Sequence, residues 1–359
     1  LKYNIYIRLM KQNTKGSTKP TVSICTPTFN RRPFIPMIIK CFQHQTYPKD
    51  KIEWIIIDDG TDKVEDLVTH IPQVKYFKYD DKMTLGAKRN LMNEKASGDI
   101  IVYMDDDDYY PPERVSHAVE SLLSSPDALC AGSSIVYIYF KHIGKMVQFG
   151  PYGPNHATAA SFAFKKELLK ITRFDETSCV AEETKFLKGY TIPFVQLDPK
   201  KSILVFSHDQ NSFDKKELLA QGFNNRMQES PLVPSDFIKE QDILDFFFKD
   251  MNNLVLYEPG KVENKPDVVK QLAEIKQSRA EMMLEHTKKQ AEYNEILNKL
   301  PPPLLNQIKQ MQNTIQQLTT DNQLLAGKAK YHEDKLKQLI SERVQEKMKE
   351  KMKEKMKEK

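Results

Sequence analysis

Four consecutive aspartates, Asp105 to Asp108, close the apolar run Ile100-Ile101-Val102-Tyr103-Met104. Carboxylates at the end of a buried strand lose hydration and repel one another. A divalent metal carrying a phosphate-bearing ligand offsets that cost, because hard cations such as Mg²⁺ or Mn²⁺ prefer carboxylate oxygens. An acidic turn before a helix is the plainer alternative. Pro111-Pro112-Glu113 reads as a helix start, with proline in the first turn and a carboxylate near the positive end of the dipole. Three further segments carry polar residues at comparable places. Val22-Ser23-Ile24-Cys25-Thr26-Pro27-Thr28 runs into a loop at Phe29-Asn30-Arg31-Arg32. Trp54-Ile55-Ile56-Ile57 ends in Asp58-Asp59-Gly60-Thr61-Asp62, and Gly86-Ala87-Lys88-Arg89-Asn90 is a basic helix start.

The elements that must hold these segments alternate. Strands are expected at Thr21–Thr26, Glu53–Asp58, Val74–Tyr79 and Ile100–Met104. Later ones fall at Ser134–Phe140, Val147–Phe149, Ser161–Phe164, Phe194–Leu197 and Ser202–Ser207. Helices are expected between them, at Pro33–His44, Val64–His70, Leu85–Ala96, Pro112–Ser124, Lys165–Ile171 and Glu183–Gly189. Alternation in the first half argues for an α/β fold with a mainly parallel sheet, and the shorter later strands for a mixed sheet added to it. Ligands of parallel sheets bind beyond the carboxyl ends of the strands. Three polar strand ends and one basic helix start therefore point to a nucleotide-sized pocket.

The chain has 359 residues and a formal charge of +5. Its tail, KMKEKMKEKMKEK over 347–359, holds seven Lys and three Glu, so the remaining 346 residues carry about +1. The body is nearly neutral, and nucleic-acid binding is not expected. No apolar stretch approaches the roughly 20 residues of a membrane span. Leu1–Met10 lack the apolar core of a signal peptide, so a soluble, cytoplasmic protein is expected. The first residue is not Met, which fits a fragment or an alternative start. Cys25, Cys41, Cys130 and Cys179 form no CxxC pair, which fits a reducing compartment and no structural zinc.

From Phe213 to about Tyr257 the pattern is mainly helical, and Phe246-Phe247-Phe248 are expected to pack onto the main domain. Pro259-Gly260 and Pro266 mark a break. Beyond it Leu304, Ile308, Met311, Ile315, Leu318, Asn322, Leu325, Ala329, His332, Leu336 and Leu339 recur at alternating spacings of four and three. That is the heptad seam of a coiled coil, and Asn322 at an a position favours a parallel dimer in fixed register. A weaker seam, Val268 to Met282, is separated from it by Pro301-Pro302-Pro303, so one continuous rod is excluded. Folding back as a hairpin is the alternative to pairing between chains. The expected division is an arm over 1–19, a domain over 20–260, a helical or coiled-coil region over 265–346 and the tail over 347–359.

The motifs in this order resemble the family 2 glycosyltransferases, whose fold is the GT-A nucleotide-diphospho-sugar transferase fold. Thr26-Pro27-Thr28-Phe29-Asn30-Arg31 resembles the family's first strand and loop, and Asp58-Asp59-Gly60-Thr61-Asp62 its Asp-Asp-Gly-Ser-Thr-Asp motif, one residue shorter. Gly86-Ala87-Lys88-Arg89-Asn90 resembles the Gly-x-x-x-Arg-Asn helix start, and Met104-Asp105-Asp106-Asp107-Asp108 the Leu-Asp-Ala-Asp-Asp segment that carries the family's DxD motif. Phe174-Asp175-Glu176 followed by Glu182-Glu183 resembles the Phe-Asp-Glu then Glu-Asp pattern. The likeness covers roughly residues 20 to 212.

The resemblance implies a metal-dependent inverting glycosyltransferase (hexosyltransferase-type), moving a sugar from a nucleotide-sugar donor, a UDP-sugar first, to an acceptor hydroxyl. The acceptor is a glycan, a protein or a small molecule, and a homodimer through the coiled coil is a possible partner arrangement. Thr26, Pro27, Asn30, Arg31, Asp58 and Asp59 would line the nucleotide side, with Asp59 at the base. Arg89 would face the diphosphate, and Asp105 and Asp106 would lie by the donor. Asp107 would ligate Mn²⁺ or Mg²⁺, with His208 as a second ligand and Asp108 in support. Glu183 would be the catalytic base, where the family usually has Asp, and Glu182 the fallback; a helix N-terminus equally accounts for both. The register of the aspartate run is open by one position. The alternatives are a non-catalytic GT-A-like head on a coiled-coil scaffold, and a sugar-phosphate nucleotidyltransferase. The second needs a Gly-rich loop that Pro27-Thr28-Phe29-Asn30 does not supply.

Overall fold

The computed structural model describes residues 19–220 and 222–357. The expected N-terminal arm thus lies outside the described residues except for Lys19, as do the last two residues of the tail. The first half alternates strand and helix. It runs β1 (Val22–Thr28), α1 (Ile35–Gln43), β2 (Ile52–Asp58), α2 (Glu65–Val68), β3 (Val74–Lys78), α3 (Leu85–Lys95), β4 (Ile100–Tyr103) and α4 (Arg114–Ser124). Then come β5 (Cys130–Gly132), β6 (Val136–Phe140), β7 (Lys145–Phe149), β8 (Ala163–Lys165), the short helix α5 (Glu183–Phe186), β9 (Phe194–Gln196), β10 (Leu204–Ser207) and β11 (Met227–Glu229). The helix expected over 165–171 is a 3-10 turn, Lys166–Lys170.

Seven strands form the main sheet in the order β3-β2-β1-β4-β8-β5-β9. β1 pairs in parallel with both β2 and β4, and β8 runs antiparallel to β4 and β5. The other four form a smaller sheet, β10-β6-β7-β11. The first strands read as unbroken apolar runs because the main sheet is covered on both faces. Ile24, Trp54, Ile56 and Val102 face one core with Ile38 and Phe42 of α1 and Val115 and Leu122 of α4. Their neighbours Cys25, Ile55, Ile57, Ile101 and Tyr103 face the other, with Met92 of α3. Trp54 is fully buried and stacks on Phe42 with ring centroids 4.6 Å apart.

α6 (Gln241–Phe248) packs on this domain through Phe247, which stacks on Phe206 at 3.7 Å, and Phe246, edge-on to Phe34; Phe248 is partly exposed. The compact unit runs to Lys276 and so includes the first turns of α7 (Pro266–Lys299). The second unit, Gln277–Lys359, holds the rest of α7 and α8 (Pro302–Lys357), with the break at Leu300-Pro301. In it Gln312 Nε2 donates to Tyr293 Oη across the break at 2.9 Å. Leu304, Met311, Ile315, Leu318, Leu325, Leu336 and Leu339 of the seam are all exposed. Among the described residues no helix is long and apolar enough to cross a membrane.

Candidate active site

β1 leads to β2 and β3 on one side, and the chain then crosses to β4 on the other, so the sheet order reverses between β1 and β4. The crevice beyond the carboxyl ends at such a switch point is where open α/β sheets hold ligands. Here it is an open cleft of about 650 Å³. Pro27, Phe29 and Arg31 line it from the β1 side and Asp105, Asp106 and Asp107 from the β4 side. Lys82, Met83, Leu85 and Lys88 come from the start of α3, and Cys179, Ser212, Lys265, Asp267 and Val268 from later in the chain.

The four aspartates have distinct environments. Asp105 is held by Arg89, whose Nη1 and Nη2 donate to its two oxygens at 3.2 Å each. Burial pushes Asp106 up to about 7, although Arg31 Nε lies 3.6 Å from its Oδ1. Burial also works against charge on Asp107, but Arg31 and His208 outweigh it and hold this carboxyl well below the usual range. Arg31 Nη2 donates to Asp107 Oδ2 at 3.1 Å while Nη1 donates to Gln210 O at 2.8 Å. Burial and the neighbouring Asp107 push Asp108 well up. Asp106 Oδ2 and Asp108 Oδ1 are buried with no hydrogen-bond partner.

The basic helix start divides its labour. Arg89 is buried, and its Nε donates to Glu182 Oε1 at 2.7 Å, so it joins Asp105 to Glu182 instead of lining the cleft. The cleft receives Lys88, one position earlier, where about 100° of helix rotation changes the face. Lys88 Nζ bonds Asp59 Oδ1 and donates to Thr28 O at 3.0 Å. Burial lowers its pKa despite Asp59. Asn90 exchanges hydrogen bonds with the backbone of Phe174, 3.0 Å to the carbonyl and 2.9 Å from the amide. Gly86 admits no side chain: a Cβ there would stand 1.9 Å from Asp175 O. That close approach seats α3 against the loop leading to Glu182 and Glu183.

Several residues expected to face the ligand are engaged inside the scaffold. Thr26 Oγ1 donates to Met104 O at 2.7 Å and accepts from Trp54 Nε1 at 2.9 Å, so it ties β1 to its neighbours. Asn30, at φ 54°, accepts from Thr61 N and Asp62 N with Oδ1 and donates to Pro259 O with Nδ2. Asp58 accepts from Gly60 N, Val64 N and Tyr76 Oη, the bonds of a buried turn. Asp59 accepts from Met83 N at 2.6 Å besides its pair with Lys88, so both oxygens are occupied. Pro27 and Arg31 do line the cleft.

Glu182 is buried against Arg89, whereas among the described residues no other side chain pairs with Glu183, the first residue of α5. Burial, and then repulsion from Glu182, pushes Glu183 up to about 7. His208 Nε2 lies 3.4 Å from Asp107 Oδ2, and burial pushes the ring down to about 4, so it is neutral near pH 7. Gln210 N–H at Nδ1 (3.2 Å) and the Asn211 amide at Nε2 (2.7 Å) compete for the neutral ring's single acceptor nitrogen. Ligation through Nε2 would cost the ring its Asn211 bond and, with the proton on Nδ1, the Gln210 N–H bond.

Among the described residues no group of three or more His, Cys, Asp or Glu forms a ready metal cage. The donor set still fits a hard divalent ion. Such ions are commonly held by one or two carboxylates, with substrate phosphates and water completing the shell. Asp107 with His208 beside it, and the unpartnered oxygens of Asp106 and Asp108, are of that kind.

The sequence pointed to neither Lys88 nor Lys265. Lys88 stood within a recognised motif, and counting helix rotation from Arg89 would have found it. Lys265 had no signal, since it follows the proline-marked break; it is 4% exposed, its Nζ donates to Ser212 Oγ at 3.2 Å, and burial, then Arg31, push it down to about 7.

Residues 23–180 match the family described as glycosyl transferase family 2. An uncharacterized glycosyltransferase of Haemophilus influenzae is 32% identical over 111 residues, 30% of this chain and 44% of that protein. A Campylobacter jejuni GalNAc(5)-diNAcBac-PP-undecaprenol beta-1,3-glucosyltransferase is 32% identical over 110 residues, 29% of this chain and 34% of that protein. The chain thus spans less than half the length of these curated relatives. Among solved structures, a Pyrobaculum calidifontis mannosyltransferase in complex with GDP-Man and Mn²⁺ superposes with a TM-score of 0.44 at 16% identity, over 81% of this chain and 88% of that one. Staphylococcus aureus TarS 1–349 does so at 0.43 and 18%, over 70% and 78%. At that similarity neither structure bears on the chemistry of this chain.

Proposed function

We propose that this protein, whose residues 23–180 match glycosyl transferase family 2, is a metal-dependent inverting glycosyltransferase using a nucleoside-diphosphate sugar. The observation that carries the reading is the cleft at the β1–β4 switch point, where Asp105, Asp106 and Asp107 face Arg31 and Lys88. Cations and carboxylates in one cleft suit a ligand that combines a diphosphate with a divalent ion.

Arg31 and Lys88 offer charged donors to phosphate oxygens. Asp105, fixed by Arg89, lies on the ribose side, and Phe29 gives the nucleotide an apolar face. Asp59 acts on the nucleotide side through Lys88 and Met83, which it holds in place. A divalent metal held by Asp107, with His208 as a further ligand, would supply Lewis-acid charge to the departing nucleoside diphosphate. Glu183 takes the proton of the acceptor hydroxyl as its oxygen attacks the anomeric carbon. The bond to the phosphate oxygen breaks in the same displacement, and configuration inverts. A carboxyl at about 7 is well matched to that task near neutral pH. Glu182 stays paired with Arg89 and is the weaker candidate. The exposed seam of α8 supports pairing with a second copy of this chain through Leu318, Asn322 and Leu325.

The test is a screen of nucleotide-sugars, UDP-sugars first, for Mn²⁺-dependent release of the nucleoside diphosphate. Turnover that disappears in Asp107→Ala is expected. Turnover that survives in that variant removes Asp107 from the metal site, and a wild type inert toward every donor leaves a non-catalytic head.

A further inference from the structure

One wall of the cleft comes from outside the family-matched region, on the segment joining the domain to its helical extension. Residues 257–271 cross the site as a strap fastened at both ends. At one end Tyr257 Oη donates to Asp62 Oδ2 at 2.7 Å, and Pro259 O accepts from Asn30 Nδ2 at 3.0 Å. Gln210 Nε2 donates to Leu254 O and Tyr257 O at 2.6 and 3.0 Å, and Gly260 packs so closely that a Cβ there would stand 2.3 Å from Gln210 Oε1. At the other end Gln271 Oε1 accepts from Cys179 N and Val180 N at 2.6 and 3.0 Å, while its Nε2 donates to Thr177 O at 3.0 Å. Asp267 pairs with Lys82 between them.

Lys265 sits at the middle of this strap and lines the cleft together with Asp106 and Asp107. It is 4% exposed, and among the described residues its ammonium bonds one group, the Ser212 hydroxyl. An ammonium has three donors. Asp106 and Asp107 line the same cleft and offset part of the cost of burying it, and an anion that takes up its remaining donors offsets more. In this cleft a diphosphate is the anion that fits.

We propose that Lys265 is a donor-binding residue that contacts the diphosphate, so that the strap and the start of α7 complete the donor site. This rests on reading the cleft as the donor site. It makes the start of the extension part of the binding machinery, because the strap is fastened to the Asn30 loop at one end and to the 177–180 loop before Glu182 at the other. Arg31 follows β1, Lys88 stands on α3, and Lys265 comes from the strap.

The experiment uses the full chain. Binding of UDP, GDP, CDP and ADP with Mn²⁺, and of Mn²⁺ alone, is measured by calorimetry for the wild type, Lys265→Met and Lys265→Arg. The expected result is a loss on the order of tenfold or more in diphosphate affinity for Lys265→Met, the scale of one charge-assisted hydrogen bond. Lys265→Arg should recover part of it. Mn²⁺ alone should bind Lys265→Met as tightly as the wild type or tighter, since a cation near Asp106 and Asp107 has gone. A purely structural role would weaken both ligands together, and that outcome overturns the inference. Unchanged diphosphate affinity in Lys265→Met overturns it equally, as does an unfolded Lys265→Met alongside a folded Lys265→Arg with no diphosphate defect. A wild type that binds none of the four diphosphates refutes the donor reading itself.

Discussion

Glu183→Gln should make the protein more stable and less active at once, and the two effects should separate by pH. Burial and Glu182 raise the Glu183 carboxyl from the ordinary 4.5 to about 7. The raised value means that the folded state holds a proton the unfolded chain releases. Below about 4.5 both states are protonated and nothing is lost. As pH rises to about 7 the native state becomes progressively penalised, and above that the penalty is complete. At about 1.4 kcal/mol per pH unit, the interval is worth about 3 kcal/mol. Glutamine has nearly the same shape and never ionises. Denaturant titrations at pH 4.5 and 8.5 should therefore show the variant gaining up to about 3 kcal/mol over the wild type at the higher pH and almost nothing at the lower. Release of nucleoside diphosphate from an accepted donor should fall by about 10²–10⁴, the usual contribution of a general base. Wild-type kcat should rise with pH through about 7 and lose that limb in the variant. A variant equally destabilised at both pH values, or one that keeps its rate, would refute the assignment.

Arg89→Met leaves Asp105 and Glu182 without their shared cation. Because Arg89 and Glu182 are both buried, the expected cost is about 3–5 kcal/mol near pH 7, which urea titration measures. The seam of α8 is exposed in the single chain, so light scattering on the full chain should give twice the monomer mass. Leu318→Glu with Leu325→Glu should return it to the monomer while the donor domain keeps its nucleotide affinity, and a wild type that is monomeric at tens of micromolar would refute pairing between chains.

The parallel core was legible because its physics is written in composition. β2 and β4 are buried on both faces and read as mainly apolar runs, and β1 holds Val22, Ile24 and Cys25 among buried Ser23 and Thr26. β5 and β11 were not legible. Cys130-Ala131-Gly132 lacks β-branched residues, and Met227-Gln228-Glu229 is half polar; each is a strand because a partner is in register, Phe164 and Ala163 for the one and Phe149 to Val147 for the other. In the site, sequence named segments that end at the cleft but not the direction of their side chains. Thr26 and Asp58 belong to strands that end at the cleft, but their side chains meet Trp54, Met104 and the turn at Val64. A motif fixes the neighbourhood of a residue, while the partner that claims its polar atoms depends on neighbours far away in the chain. Lys265 is the extreme case, since 158 residues separate it from Asp107 and no local pattern announces it.

The helix start at Gly86 shows what such a motif specifies when it does not specify ligand contacts. Four positions within one and a half turns have four destinations. Gly86 yields space to the carbonyl of Asp175, Lys88 reaches Asp59 and the cleft, Arg89 joins Asp105 to Glu182, and Asn90 holds Phe174 by both backbone groups. Asp105 and the loop that carries Glu183 are thereby fixed to a single rigid element. Any movement of α3 relative to β4 must strain the Arg89 fork at one end or the Glu182 pair at the other. The Glu182 pair is buried, where a lost partner costs far more than at a surface, and the Asp105 fork is partly buried. The spacing between where the donor would be held and where the acceptor would be deprotonated is therefore set by α3. That is a reason for a glycine, a lysine, an arginine and an asparagine to stand in this order, even though Lys88 alone of the four lines the cleft.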